Sequence, residues 1–150
     1  MDTSKASRKQ VIVAPDGPPA HPFLSAAMRA GDFIYVSGNA GLRPGRPPHG
    51  AGAKWMPGEL VEGGIEAETR QCIENLRIAL EAAGASLEDV VKVNTFLRDI
   101  DRDFHAYNRV YQTYFPKDPP ARTTVEAKIY GTILVEIECI AYRPRVAGEG

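Results

Sequence analysis

The segment PARTTVEAKIYGTILVEIECIAYRP, Pro120 to Pro144, constrains this chain more than any other, because it reads as buried strand yet carries Arg122, Glu126, Glu136 and Glu138. Charged side chains are rarely buried without a partner or a ligand. In ILVEIECIA, residues 133–141, strict alternation separates Ile133, Val135, Ile137, Cys139 and Ala141 from Leu134, Glu136, Glu138 and Ile140. One set makes a core face, the other an apolar face that holds two carboxylates. ARTTVEAKI, residues 121–129, divides likewise, with Val125, Ala127 and Ile129 against Arg122, Thr124, Glu126 and Lys128.

Two such runs flanking Gly131 predict a hairpin, and loop length decides which residues meet, since a one-residue slip moves every side chain to the other face. A two-residue turn at Tyr130-Gly131 would put Arg122 on the face of Val135 and Cys139. A three-residue loop over Tyr130, Gly131 and Thr132, or an equivalent bulge, opposes Glu126 with Glu136. It gathers Arg122, Thr124, Glu126, Glu136 and Glu138 on one face. The second register is the expectation.

Upstream, VIVAP (11–15) suits a short edge strand, and FLSAAMRAG (23–31) with DFIYVSGNAG (32–41) reads as two strands turned at Gly31. Helical spacing of Ile65, Cys72, Ile73, Leu76, Ala79, Leu80 and Ala83 predicts a helix between Gly64 and Gly84, with Glu66, Glu68, Arg70, Glu74, Arg77 and Glu81 as its solvated face. DVVKVNTFLRD (89–99) is a strand by its β-branched content. In residues 101–115 the stripe Phe104, Tyr107, Tyr111 and Tyr114 marks a second helix packed on a core. The order predicts an α+β fold, a mixed sheet of about six strands with two helices on one face. The terminal pair is apolar on both faces, so its uncovered face is expected to meet another subunit.

At 150 residues, with 43% hydrophobic and 25% charged side chains, the chain suits a single domain over 1–150. Residues 1–10 read as a flexible tail, and the Pro/Gly-rich stretch 42–58 as a long loop whose Trp55 packs it down. Lys plus Arg (18) balances Asp plus Glu (19) without a basic stripe, which argues against nucleic acid. No signal-peptide core or membrane span is apparent, so a cytoplasmic location is expected. Cys72 and Cys139 fall at apolar positions without ligand spacing, which points to buried thiols and to no metal. His21, His49 and His105 are scattered, and none pairs with a nucleophile such as Ser37.

Four separated stretches, in order, resemble the RidA/YjgF family of imine deaminases from about His21 to Pro144. They are HPFLSAAMRAGDFIYVSGNAG, TRQCIENLRIALEAAGASLEDVVKVNTFLRD, FHAYNRVYQTYF and PARTTVEAKIYGTILVEIECIA. The resemblance implies a chorismate-mutase-like fold and a homotrimer with sites between subunits. It implies no metal or organic cofactor and no membrane partner. It also implies roles: Arg122 holds a substrate carboxylate, Glu136 handles the attacking water, and Ser37, Gly38 and Asn108 shape the pocket. Where the family has Gly-Pro-Tyr this chain has His21-Pro22-Phe23, and Thr124 stands where cysteine is common, so Phe23 and Thr124 join the expected substrate-binding set.

The implied activity is hydrolysis of reactive 2-imino acids, of the 2-aminoacrylate type, to 2-oxo acids and ammonia. Two alternatives are a deaminase of a larger aminated acid such as an aminomuconate, and a non-enzymatic trimer that binds 2-oxo acids or acts as a chaperone-like surface. For Arg122 the bland reading is an interface salt bridge, and Glu126 and Glu138 are expected to be scaffolding.

Overall fold

The predicted alternation and helical spacing resolve, in a computed structural model that describes residues 9–45 and 58–147, into six strands and two helices. The strands are β1 (Gln10–Ile12), β2 (Ala27–Ala30), β3 (Phe33–Asn39), β4 (Val90–Leu97), β5 (Ala121–Glu126) and β6 (Val135–Tyr142). The helices are α1 (Gly64–Ala82) and α2 (Ile100–Tyr114). Gln10 lies in β1, so the expected tail reaches one residue too far. Trp55, His49 and most of the expected 42–58 loop lie outside the described residues.

Local chemistry accounts for the boundaries. Gly31, at φ 60°, turns β2 into β3. The α1 helix stops at Gly84, in the left-handed region, where the Ala85 N–H returns to the Leu80 carbonyl at 2.8 Å. Asp99 caps α2 by accepting from the Arg102 N–H at 3.0 Å.

The sheet runs β1-β2-β3-β6-β4-β5, antiparallel except for the β4/β5 pair. Both helices cover one face, over a core that includes Ile34, Ile73, Leu76, Leu80, Leu97, Val135 and Ile137. Tyr107 is fully buried there, its hydroxyl paired with Thr95 Oγ1. The aromatic stripe of α2 is thus core packing, as its spacing predicts.

The expected hairpin does not form. After α2 the chain enters β5 parallel to β4, and residues 127–134 then carry it back so that β6 slots between β3 and β4. The reason lies in the two strands themselves. A sequence as apolar as β6 is best buried with both edges paired, while the more exposed β5 tolerates an edge. Ile129 and Ile133 flank a turn at 130–132 but are not paired as strands; they pack on Ala40, beside Leu42, Leu60 and Phe96.

Topology also overturns the expected grouping of charges. Arg122 pairs with core-facing Val93, whereas Glu136 pairs with Phe96, three residues along β4 and on the opposite side. Arg122, Thr124 and Glu126 therefore share the helix-covered side at the sheet's edge. Glu136 and Glu138 lie on the open face with Asn94, whose amide donates to Glu138 at 3.1 Å. Exposed Phe33, Tyr35, Val125 and Tyr142 lie on that face too.

Two charged residues fasten the 127–134 connection. Arg98, just past β4, donates to the carbonyls of Ile133 at 2.7 Å and Gly131 at 2.7 Å, and also to that of Ile129. Glu68 of α1 accepts from the Leu134 N–H at 2.9 Å and is buried, so it does not belong to a solvated helix face. Burial raises its pKa.

Candidate active site

The first half of the candidate site lies on the open face, where β3 meets β6. Ladder pairing slips between Val36 and Asn39, so Ser37 and Gly38 form an irregularity in β3 opposite the strand that carries Glu136. The Ser37 hydroxyl donates to the Ser25 carbonyl at 2.5 Å. A Cβ at Gly38 would sit 2.9 Å from Glu136 Oε1, so a side chain there would displace the carboxylate. The carboxylate thus lies directly over peptide backbone. Burial, and secondarily the Glu138 carboxylate, raise the pKa of Glu136 above its ordinary value. A carboxyl tuned in this direction suits proton transfer near neutrality.

Ser37, Gly38 and Glu136 line a cleft of about 900 Å³ together with His21, Phe96 and Ile133. Phe23, expected to contact substrate, is 83% exposed, packs obliquely on the His21 ring at 5.2 Å and is not part of this lining. His21, read from sequence as one of three scattered histidines, is. Its position in place of the first residue of the family's Gly-Pro-Tyr was the signal that could have singled it out.

The second half is built on α2 and β5. The guanidinium carbon of Arg122 sits 4.7 Å from the centroid of the Tyr111 ring and 5.3 Å from that of Tyr107. Its Nη1 donates to Asn108 Oδ1 at 2.8 Å, so Asn108 orients the arginine. No carboxylate pairs with Arg122 among the described residues. The Tyr111 hydroxyl beside it is buried and has no hydrogen-bond partner among the described residues. Burial pushes the pKa of Tyr111 up to about 12, so this group is a donor, not an anion. Thr124 stands two residues along β5 on the same side. A cation without a carboxylate partner, beside the buried Tyr111 and Thr124 hydroxyls that have no hydrogen-bond partner among the described residues, has the chemistry of an anion site.

One chain does not bring the two halves together: Arg122, Asn108 and Thr124 lie on the helix side, Ser37, Gly38 and Glu136 on the open side. Glu126 accepts from the Ile100 N–H at 3.2 Å at the start of α2, and Glu138 takes the Asn94 amide. Both keep the scaffolding roles expected of them. Cys72 and Cys139 are buried free thiols with burial-raised pKa values, Cys139 up to about 12. Among the described residues no three His, Cys, Asp or Glu side chains converge on a metal position, and no helix is long and apolar enough to cross a membrane.

A six-stranded mixed sheet with two helices on one side, a glutamate over a Ser-Gly irregularity and an arginine on the terminal strand pair define a YjgF-type protein. Comparison bears this out: a family model described as Endoribonuclease L-PSP matches residues 14–143. A RutC family protein of Pyrococcus horikoshii is 40% identical over 137 residues, spanning 90% of this chain and 98% of its own length. The 2-iminobutanoate/2-iminopropanoate deaminase of Dermatophagoides farinae is 37% identical over 136 residues, or 89% of this chain and 96% of that protein. The crystal structure of RidA from an Antarctic Psychrobacter aligns with a TM-score of 0.75 at 35% identity, covering 89% of this chain and 98% of the other. The chain belongs to the RidA/YjgF family.

Proposed function

We propose that the protein hydrolyses reactive 2-imino acids to 2-oxo acids and ammonia, without a metal or organic cofactor. The observation that carries this reading is Arg122: a guanidinium held by Asn108 and two tyrosine rings, without a carboxylate partner among the described residues, and next to the orphan Tyr111 hydroxyl. Such a cation suits a substrate carboxylate, which a planar guanidinium grips through two parallel hydrogen bonds. The alternative is an interface salt bridge, in which an acid of another subunit answers the arginine.

An iminium carbon needs only an oriented water and one acid/base group. Glu136 takes a proton from water as oxygen bonds to that carbon, giving a carbinolamine. The carboxyl then returns the proton to nitrogen; as the C–N bond breaks and ammonia leaves, the hydroxyl proton passes back to the Glu136 carboxylate, the C=O bond forms and the 2-oxo acid results. Because Arg122 and Glu136 occupy opposite faces, the working site needs two chains. A homotrimer with the exposed apolar face of each sheet against its neighbour supplies the second chain. A cleft of about 900 Å³ also favours a second reading, in which the substrate is a larger aminated acid than 2-aminoacrylate. A net charge of −1 without a basic stripe gives an RNA substrate little to hold.

The test generates 2-imino acids in situ with an amino-acid oxidase and follows ammonia release. Wild type is expected to accelerate it at catalytic concentration. Glu136→Gln should lose about 10²–10⁴-fold in kcat, and Arg122→Ala should lose kcat/KM by at least about 10²-fold. Equal rates with and without wild type would leave a 2-oxo-acid-binding trimer as the surviving reading.

A further inference from the structure

The polar groups of the cleft around Glu136 divide sharply into those already engaged and those still available. Asn75 gives its amide to the carbonyls of Ala40 and Leu42 at 3.2 and 2.9 Å, and Asn39 gives its amide to Ser37 at 2.8 Å. The Ser37 hydroxyl is given to Ser25. Three donors remain in the lining: the Ser25 hydroxyl and the side-chain nitrogens of His21 and Lys128, the last on an exposed residue.

The two nitrogen donors match in chemistry. His21 Nδ1 accepts the Phe23 N–H at 3.1 Å, which leaves its proton on Nε2 as a donor. Lys128 has neither a carboxylate within ion-pair distance nor a hydrogen bond among the described residues. The two stand on different walls. His21 belongs to the segment that runs beside Ser37, and Lys128 to the 127–134 connection that Arg98 holds in place. Most of the remaining lining is apolar, Leu24, Ala26, Phe96 and Ile133 among it. A cleft with one buried carboxyl and two unpaired nitrogen donors, apart from the cation that would take the 2-carboxylate, suits a ligand that carries a second anion.

Resting on the deaminase reading above, we propose that His21 and Lys128 form a subsite for a distal carboxylate, so that the preferred substrates are 2-imino dicarboxylates. An alkyl side chain offers neither donor an acceptor, whereas a carboxylate accepts from both. Selection follows from those added charge-assisted hydrogen bonds, which a monocarboxylate substrate does not make.

The test compares ammonia release from 2-iminoglutarate and 2-iminobutanoate, each generated in situ, by wild type, His21→Asn, Lys128→Met and the double variant. His21→Asn keeps an acceptor near the Phe23 N–H and removes the Nε2 donor; Lys128→Met keeps the stem and removes the charge. Wild type is expected to favour the dicarboxylate in kcat/KM, and the dicarboxylate-to-monocarboxylate ratio should fall about tenfold in the double variant. A wild-type preference for 2-iminobutanoate, or a ratio that the double variant leaves unchanged, overturns the subsite. If wild type hydrolyses neither imine, the deaminase reading fails and calorimetry decides the subsite separately. Tighter binding of 2-oxoglutarate than of 2-oxobutanoate, with the margin lost in the double variant, upholds it; equal binding of the two overturns it.

Discussion

Glu136 and Arg122 show how far a single residue's role can be read from its neighbours. Glu136 is held over bare backbone at Gly38, and burial raises its pKa above the ordinary 4.5. Two pH effects follow. As a base it has to be ionised, so kcat/KM should fall as pH drops through this raised value, and Glu136→Gln should lose that limb of the profile. A carboxyl whose folded pKa is raised stabilises the fold below its unfolded value and loses that contribution as pH rises through the folded one. Wild type should therefore lose stability relative to Glu136→Gln over that window, as measured by denaturant midpoints. Tyr111→Phe tests the other half. Removing an orphan hydroxyl should leave the melting temperature unchanged or higher, while KM rises several-fold because a substrate contact is lost. At this scale the sequence was most informative where a residue type admits few uses. An arginine in a strand pair and a glutamate on an apolar face were legible. Asn108 as the group that orients Arg122, and Tyr111 as an orphan donor, depend on side-chain directions that spacing does not show.

At the scale of elements, both helices and all six strands could be read from periodicity and turn residues, but the partner of β5 could not. Alternation says which residues share a face within a strand and nothing about which strand lies alongside. The short spacing to Gly131 favoured a local hairpin over the longer return that forms. That return has a recognisable fastening. Arg98→Ala would strip donors from the carbonyls of Ile129, Gly131 and Ile133, and should cost about 2 kcal/mol in chemical denaturation. Glu68→Ala, which orphans the Leu134 N–H, should cost about 1–3 kcal/mol, while Glu68→Gln, which keeps an acceptor, should recover most of it. Glu68 was misread because helical charges usually face water. Its exception is set by Gly41, where a Cβ would stand 2.8 Å from Glu68 Cα, so α1 presses against the chain leaving β3.

For the whole molecule, the proposed mechanism turns the separation of Arg122 from Glu136 into a requirement for assembly, and mixing experiments can read it. Arg122→Ala and Glu136→Gln chains should each be nearly inactive alone, whereas co-refolded mixtures should regain roughly one working site in four by random assortment. A site completed within one chain would give no recovery. The uncovered apolar face was legible from sequence, and its reading as a subunit boundary belongs to the proposal; that Arg122 and Glu136 fall on opposite faces was not legible, because it follows from the order of the strands. That order has a further consequence. The inner strand β6 is also the last of the described strands in chain order. Without β6, the β1 to β3 meander and the β4-α2-β5 unit would each present an unpaired edge, at β3 and at β4. Joining the sheet and placing Glu136 are one event, because the strand that does the first carries the second.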